Sequence, residues 1–312
     1  MILSACSGGG GSSPAPIQPV TTAPPPSTPS SSLTSETDVV YGTGLVTNSS
    51  VNLLLDIYQP SDTCPAPRPF VIGIHGGGFI GGSKSDSNWV QVMQAVNNRG
   101  YAGISIDYRL VGDSPLVSAE FQPVLDDLLA GAVGLSQSQL DQLNAAVSAF
   151  EDAVTAIEWA RDNADTRCLD IDRFAIWGSS AGAITALHVA HALDDFFIDR
   201  PEPAVVVDYW GRLFFDNVIQ ADGPPLFILH GTDDATIDYS TTAVPLAAEA
   251  TTAGLPFSFY TIENGPHGFG SIDPNRVQIN GRDPLDVTLD FVIAHLTGGT
   301  PLYETQTVTR AP

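Results

Sequence analysis

Positive charge is what this sequence has least of. Lysine and arginine together number 12 against 35 aspartates and glutamates, a formal net charge of −23, and Lys84 is the only lysine. A surface so acidic repels phosphate backbones and anionic headgroups, which excludes nucleic acid and argues against direct binding to an anionic membrane. It suits a salty or extracellular setting. Long apolar runs are also missing. No stretch approaches the roughly 18 residues that a membrane-spanning helix needs. Cysteine is scarce, limited to Cys6, Cys64 and Cys168. No glycine-rich stretch continues into the Lys-Ser/Thr of a phosphate-binding P-loop, and no G-x-G-x-x-G opens a helix. What the chain does have is 43% hydrophobic residues over 312 positions, enough for a large core.

The first residues do not contribute to that core. Leu3-Ser4-Ala5-Cys6 resembles a bacterial lipobox, and a Gly/Ser/Pro/Thr-rich spacer follows from Ser7 to Ser32. The resemblance implies lipidation at Cys6 and a periplasmic, outer-membrane-tethered or secreted protein. Met1-Ile2 supplies neither the charged region nor the apolar stretch of a full signal peptide. Residues 1–35 are therefore expected to form a lipobox-like terminus and linker, 36–300 a catalytic domain, and 301–312 a tail.

Along the expected domain, apolar runs alternate with helical spacing. Val51–Tyr58, Phe70–His75, Tyr101–Tyr108, Phe174–Trp177, Ala204–Tyr209, Leu226–His230 and Phe257–Ile262 read as strands. Trp89–Asn97, Val154–Ala160, Ile184–Leu193 and Val287–Leu296 read as helices. Continuous apolar strands separated by helices predict an α/β fold with a mostly parallel sheet. The stretch 111–145 breaks the alternation, because it is long for a connection. It is expected to be a helical insertion or lid.

Chemistry concentrates at Gly178-Ser179-Ser180-Ala181-Gly182. A strand precedes it and a helix follows, the context that makes G-x-S-x-G a nucleophile elbow with Ser180 as nucleophile. A serine hydroxyl needs a base, an orienting acid and donors for an oxyanion. The acid is sought after a later strand, at Leu226-Phe227-Ile228-Leu229-His230-Gly231-Thr232-Asp233-Asp234. Asp234 is preferred because Gly231 and Thr232 must clear the strand first, leaving Asp233 to face solvent or cap the turn. Asp238 is expected to cap the next helix. The base is His267, in the loop Asn264-Gly265-Pro266-His267-Gly268-Phe269. His75-Gly76-Gly77-Gly78-Phe79 would bring backbone N–H groups of Gly77 and Gly78, with Ala181, toward a developing anion. His75 and His230 read as structural, His295 as packed, and His188 with His191 as a spacing that lacks a third metal ligand. No cofactor and no metal are expected.

Ile74-His75-Gly76-Gly77-Gly78-Phe79, Asp107-Tyr108-Arg109-Leu110, the Ser180 pentapeptide, the Asp234 turn and Pro266-His267-Gly268-Phe269 occur in one order. Together they resemble α/β-hydrolase carboxylesterases and lipases with an HGGG oxyanion motif, the hormone-sensitive-lipase-like and related esterases. The resemblance implies an α/β-hydrolase fold and a carboxylesterase acting through an acyl-enzyme on short-chain or aryl esters. Ser180, Asp234 and His267 would be the triad, and Gly77, Gly78 and Ala181 the oxyanion donors. Phe79, Ile80 and Leu110 would be walls of the substrate pocket. Feruloyl or polyester esterase, serine peptidase and a non-catalytic binding module are the alternatives. Ser179 stands where many such esterases carry an acid. The fold further implies that the strands after Cys64 and Cys168 are neighbours, so that these two cysteines would pair as a disulfide.

Overall fold

Strand 70–74 shows how the sequence is folded. Phe70, Ile72 and Ile74 point to one face and Val71 to the other, and all are buried. A strand apolar on both faces has to lie inside a sheet covered on both sides. The computed structural model describes residues 33–60 and 64–311, and it places this strand near the middle of a nine-stranded sheet.

The strands are β1 (Leu33–Val46), β2 (Ser49–Pro60), β3 (Arg68–Ile74), β4 (Ala102–Ile106), β5 (Leu169–Ser179), β6 (Val205–Tyr209), β7 (Leu226–Gly231), β8 (Phe257–Glu263) and β9 (Thr305–Thr309). Their order is β1-β2-β4-β3-β5-β6-β7-β8-β9. β1 is antiparallel to β2 and β2 to β4, whereas every other neighbouring pair is parallel. The helices are α1 (Ser87–Asn98), α2 (Gln122–Gly131), α3 (Gln137–Asp162), α4 (Ala164–Arg167), α5 (Ala181–His191), α6 (Ala243–Ala253) and α7 (Pro284–Thr297).

Helices α3, α5 and α6 cover one face, packing on Phe70, Ile72, Phe174, Ile176 and Ile228. Helices α1 and α7 cover the other through Trp89, Met93, Leu289 and Phe291, against Val71, Trp177, Val207 and Phe227. Gly73 lets α1 come close, because a Cβ there would lie 2.6 Å from Met93 Cε. With both faces covered, what remains accessible for chemistry is the rim where the parallel strands end.

Cys64 and Cys168 are joined by a disulfide, with Cα atoms 5.9 Å apart. Cys168 immediately precedes β5, and the Arg68 N–H donates to its carbonyl across the β3–β5 pair (2.9 Å). No helix among the described residues is long and apolar enough to cross a membrane.

Three expectations about elements change. The stretch 301–312 is no free tail, since β9 pairs parallel with β8 from Phe259↔Thr305 to Glu263↔Thr309. Its sequence, TQTVT, carries only one apolar residue, because an edge strand buries a single face. β1 starts at Leu33, inside the span read as linker. Asp238 does not cap α6, whose N-cap is Thr242. Its Oδ1 accepts from Thr241 N–H (2.9 Å) and Ser240 Oγ (2.6 Å) in the turn ahead of the helix. Residues 111–145 contain α2 and the opening turns of α3. Cys6 lies outside the described residues.

Candidate active site

The site forms where β3, β5, β7 and β8 end. Ser180 sits between β5 and α5 at φ 54°, ψ −120°, a backbone region that costs a non-glycine residue roughly 1–3 kcal/mol. Its neighbours explain how the turn is tolerated. A Cβ on Gly178 would lie 2.1 Å from the Gly182 carbonyl oxygen, and one on Gly182 would lie 2.0 Å from the carbonyl oxygen of Ile74. The Ser180 N–H donates to Tyr209 O (2.9 Å), tying the turn to β6.

The turns carrying the other two side chains are stitched to each other. Thr232 N–H donates to Ile262 O (3.0 Å), Asp233 N–H to Gly265 O (3.0 Å) and Asn264 N–H to Thr232 Oγ1 (2.8 Å). Gly231 permits this contact, since a Cβ there would sit 2.1 Å from the Gly265 carbonyl oxygen. Asp234 therefore turns inward and Asp233 stays at the surface. His267 Nδ1–H donates to Asp234 Oδ2 at 2.7 Å, and Ser180 Oγ–H donates to His267 Nε2 at 2.9 Å. Burial would raise the Asp234 carboxyl, but hydrogen bonds from His230, Ile237 N–H, His267 and Thr236 N–H outweigh it and hold the group well below the usual carboxylate range. The carboxylate thus keeps its charge beside the imidazole throughout the neutral range.

The glycine loop after β3 lies against the elbow: a Cβ on Gly76 would be 2.9 Å from Ser179 O. Each carbonyl in the loop is held from behind. Gly76 O accepts from His75 Nδ1–H (2.7 Å), Gly77 O from the N–H groups of Ile80 and Gly81 (both 3.1 Å), and Gly78 O from Gln142 Nε2–H of α3 (3.1 Å). A trans peptide directs its N–H opposite to its carbonyl, so fixing Gly76 O and Gly77 O fixes the N–H groups of Gly77 and Gly78. Ala181 is the first residue of α5, so its N–H has no acceptor one turn back. His75 stacks on Tyr108 (4.3 Å between ring centroids), and Tyr108 Oη–H donates to His75 O (2.9 Å), so His75 serves as an anchor of the loop.

A cleft of about 450 Å³ opens onto Ser180 and His267. Trp89, Trp210, Phe269 and Thr236 form its walls with Gly76, Gly77 and Gly78. The expected walls lie elsewhere. Phe79 is buried with its ring edge-on to Tyr108, Ile80 is 60% exposed, and Leu110 faces a separate cavity of about 270 Å³ beside His75 and Asp107. Phe79 sits at φ 62°, a backbone conformation that side chains rarely adopt. Trp89 and Trp210 escaped sequence reading because each enters through another element, α1 and the end of β6. The only local signal was Phe269, two residues after His267.

His188, on α5, is engaged at both ring nitrogens. His188 Nδ1–H donates to Ile184 O (2.7 Å) and its Nε2 accepts from Phe214 N–H (3.0 Å). No group of acidic, histidine and cysteine side chains among the described residues is arranged to hold a metal.

Two family models match the chain, BD-FAE over residues 55–125 and the alpha/beta hydrolase fold over residues 144–207. Among curated proteins, the non-reducing polyketide synthase adrD of Penicillium roqueforti is 39% identical over 98 residues, 31% of this chain and 4% of that protein. The probable N-octanoylanthranilate hydrolase AqdA2 of Rhodococcus erythropolis is 31% identical over 137 residues, 43% of this chain and 25% of that protein. The chain thus matches only a small part of these curated relatives. Among solved structures, Thermogutta terrifontis esterase 2 phosphorylated by paraoxon has a TM-score of 0.62 at 20% identity, covering 84% of this chain and 95% of that one. The strand order, the strand–turn–helix around Ser180 and this likeness over most of the length agree: the chain has the α/β-hydrolase fold.

Proposed function

We propose that the chain is a serine carboxylic-ester hydrolase. The observation that carries this reading is the contact of Ser180 Oγ with His267 Nε2 at 2.9 Å, continued from His267 Nδ1 to Asp234 at 2.7 Å. In this scheme Ser180 Oγ attacks the ester carbonyl while His267 takes its proton. Asp234 remains a carboxylate and stabilises the imidazolium. The tetrahedral oxyanion accepts from the N–H groups of Gly77, Gly78 and Ala181, each donor lowering the barrier by about 3–4 kcal/mol. His267 then protonates the leaving alcohol, and water, activated by the same imidazole, releases the acid.

The small cleft with aromatic walls suits short-chain or aryl esters. The Cys64–Cys168 bond favours an oxidising compartment, in keeping with a secreted protein or a lipoprotein anchored at Cys6. The test is labelling by a fluorophosphonate, expected in the wild type and abolished in Ser180→Ala. Equal labelling of both would remove the nucleophile assignment. A panel of nitrophenyl esters of rising chain length, feruloyl esters and aryl amides then sorts the substrate class.

A further inference from the structure

A second imidazole reaches the acid of this site. His230, the penultimate residue of β7, is fully buried. Its Nε2 lies 2.8 Å from Ile237 O and 3.2 Å from Asp234 Oδ2. Both neighbours are acceptors, so this nitrogen carries a proton and donates. Asp234 Oδ2 therefore lies between two imidazole N–H groups, His230 on one side and His267 at 2.7 Å on the other. Asp234 Oδ1 is taken by the N–H groups of Thr236 (2.9 Å) and Ile237 (2.8 Å).

A role in packing alone does not account for a histidine here. Its other nitrogen, Nδ1, is buried with no hydrogen-bond partner among the described residues. Leaving a buried polar atom unpaired destabilises the fold, a loss that an apolar side chain would avoid. What the histidine gains in return is a donor within reach of the one carboxylate oxygen that faces the base. The single Nε2–H is shared between the Ile237 carbonyl at 2.8 Å and Asp234 Oδ2 at 3.2 Å.

We propose that His230 is a positioning residue for Asp234. Its Nε2–H fixes Oδ2 toward His267 and draws off part of the carboxylate's charge, so that His267 gives up its acquired proton readily to the leaving group. The proposal rests on the serine-hydrolase reading above. The titratable groups facing the His230 ring are Asp234, Tyr239 at 6.0 Å between ring centroids, and Asp208 of β6, a carboxyl that burial raises and His230 in part draws down.

The test uses the full chain carrying His230→Leu or His230→Gln, with Gln returning an amide N–H near the position of Nε2. His230→Leu is expected to lower kcat roughly tenfold with KM little changed. Without the second donor the carboxylate holds the His267 proton more tightly. The acid limb of kcat/KM then moves up by about half a pH unit. The low-field proton resonance of His267 Nδ1–H is expected to shift in His230→Leu, and His230→Gln to recover most of the rate, the limb and the resonance. If limb and resonance keep their wild-type positions in His230→Leu, the proposal is overturned, whatever happens to thermal stability. The resonance is read without turnover. A wild type that neither hydrolyses esters nor takes up a fluorophosphonate would therefore sink the hydrolase reading while the resonance still judges the contact with His230.

Discussion

The glycine loop is held by different physics on its two sides. On the cleft side lie Ser180, His267 and the loop's own N–H groups, and no lysine or arginine lines the cleft among the described residues. On the far side the scarce cations are buried in ion pairs. Lys84 Nζ is 2.8 Å from both Asp38 Oδ1 and Asp56 Oδ1, binding the segment after the loop to β1 and β2. Arg109 is gripped by Asp152 and Glu151 of α3 while donating to Leu45 O and Leu116 O. Ion pairs make good fasteners because they are strong in a dry interior. They would be poor neighbours for a site in which charge must appear and vanish within one reaction. The cleft therefore relies on dipoles and the saturated carboxylate of Asp234, with Asp86 in its lining, and the paired cations are kept behind it.

That contrast can be tested by striking each side in turn. Ser180→Ala should cost the most rate, on the order of a million-fold in kcat, with the melting temperature nearly unchanged. A large loss of stability instead would show that the elbow is also a fastener. Lys84→Met should do the reverse, leaving the buried Asp56 carboxylate uncompensated at about 3–5 kcal/mol, read from the urea midpoint. An unchanged midpoint would mean that the ion pairs are not what secures this flank.

Asp208 offers a smaller effect with a definite sign. Burial pushes its carboxyl up to about 6. The native state then holds a proton that the unfolded chain releases near pH ~4, so stability declines as pH climbs from about 4 to about 6 and levels off above. Asp208→Asn should erase that slope, matching wild type near pH 4 and exceeding it by about 1–3 kcal/mol at pH 8 in urea melts. Equal stability at pH 8 would refute the assignment. The smallest effect is expected from Gln142→Leu, which frees the Gly78 carbonyl. A kcat loss of roughly threefold to tenfold, about 1 kcal/mol, should come with unchanged KM. If KM rises instead, Gln142 belongs to substrate binding rather than to the loop.

How much could be read from residues alone followed the range of the forces involved. The Ser180 turn and the three-glycine loop announce themselves because their requirement is local: no side chain fits at Gly178, Gly182 or Gly77. The parallel sheet was legible for the same reason, since strands such as Phe70–Ile74 are apolar on both faces. The cleft walls were not legible. Trp89 and Trp210 meet Ser180 only through sheet order and helix packing, which no short window contains, and Phe79, Ile80 and Leu110 are near in sequence but turned away. β9 was hidden by its polarity as an edge strand. His230 was readable as a residue of β7, yet its reach to Asp234 depends on a turn closing over four residues.

The burial of Lys84 also has a practical side. It is the only ε-amine in the sequence, 4% exposed and committed to two carboxylates. Succinimidyl dyes, amine cross-linkers and glutaraldehyde resins therefore find no lysine on the folded domain. The many surface carboxyls offer a way to couple the folded domain to a support without disturbing the cleft.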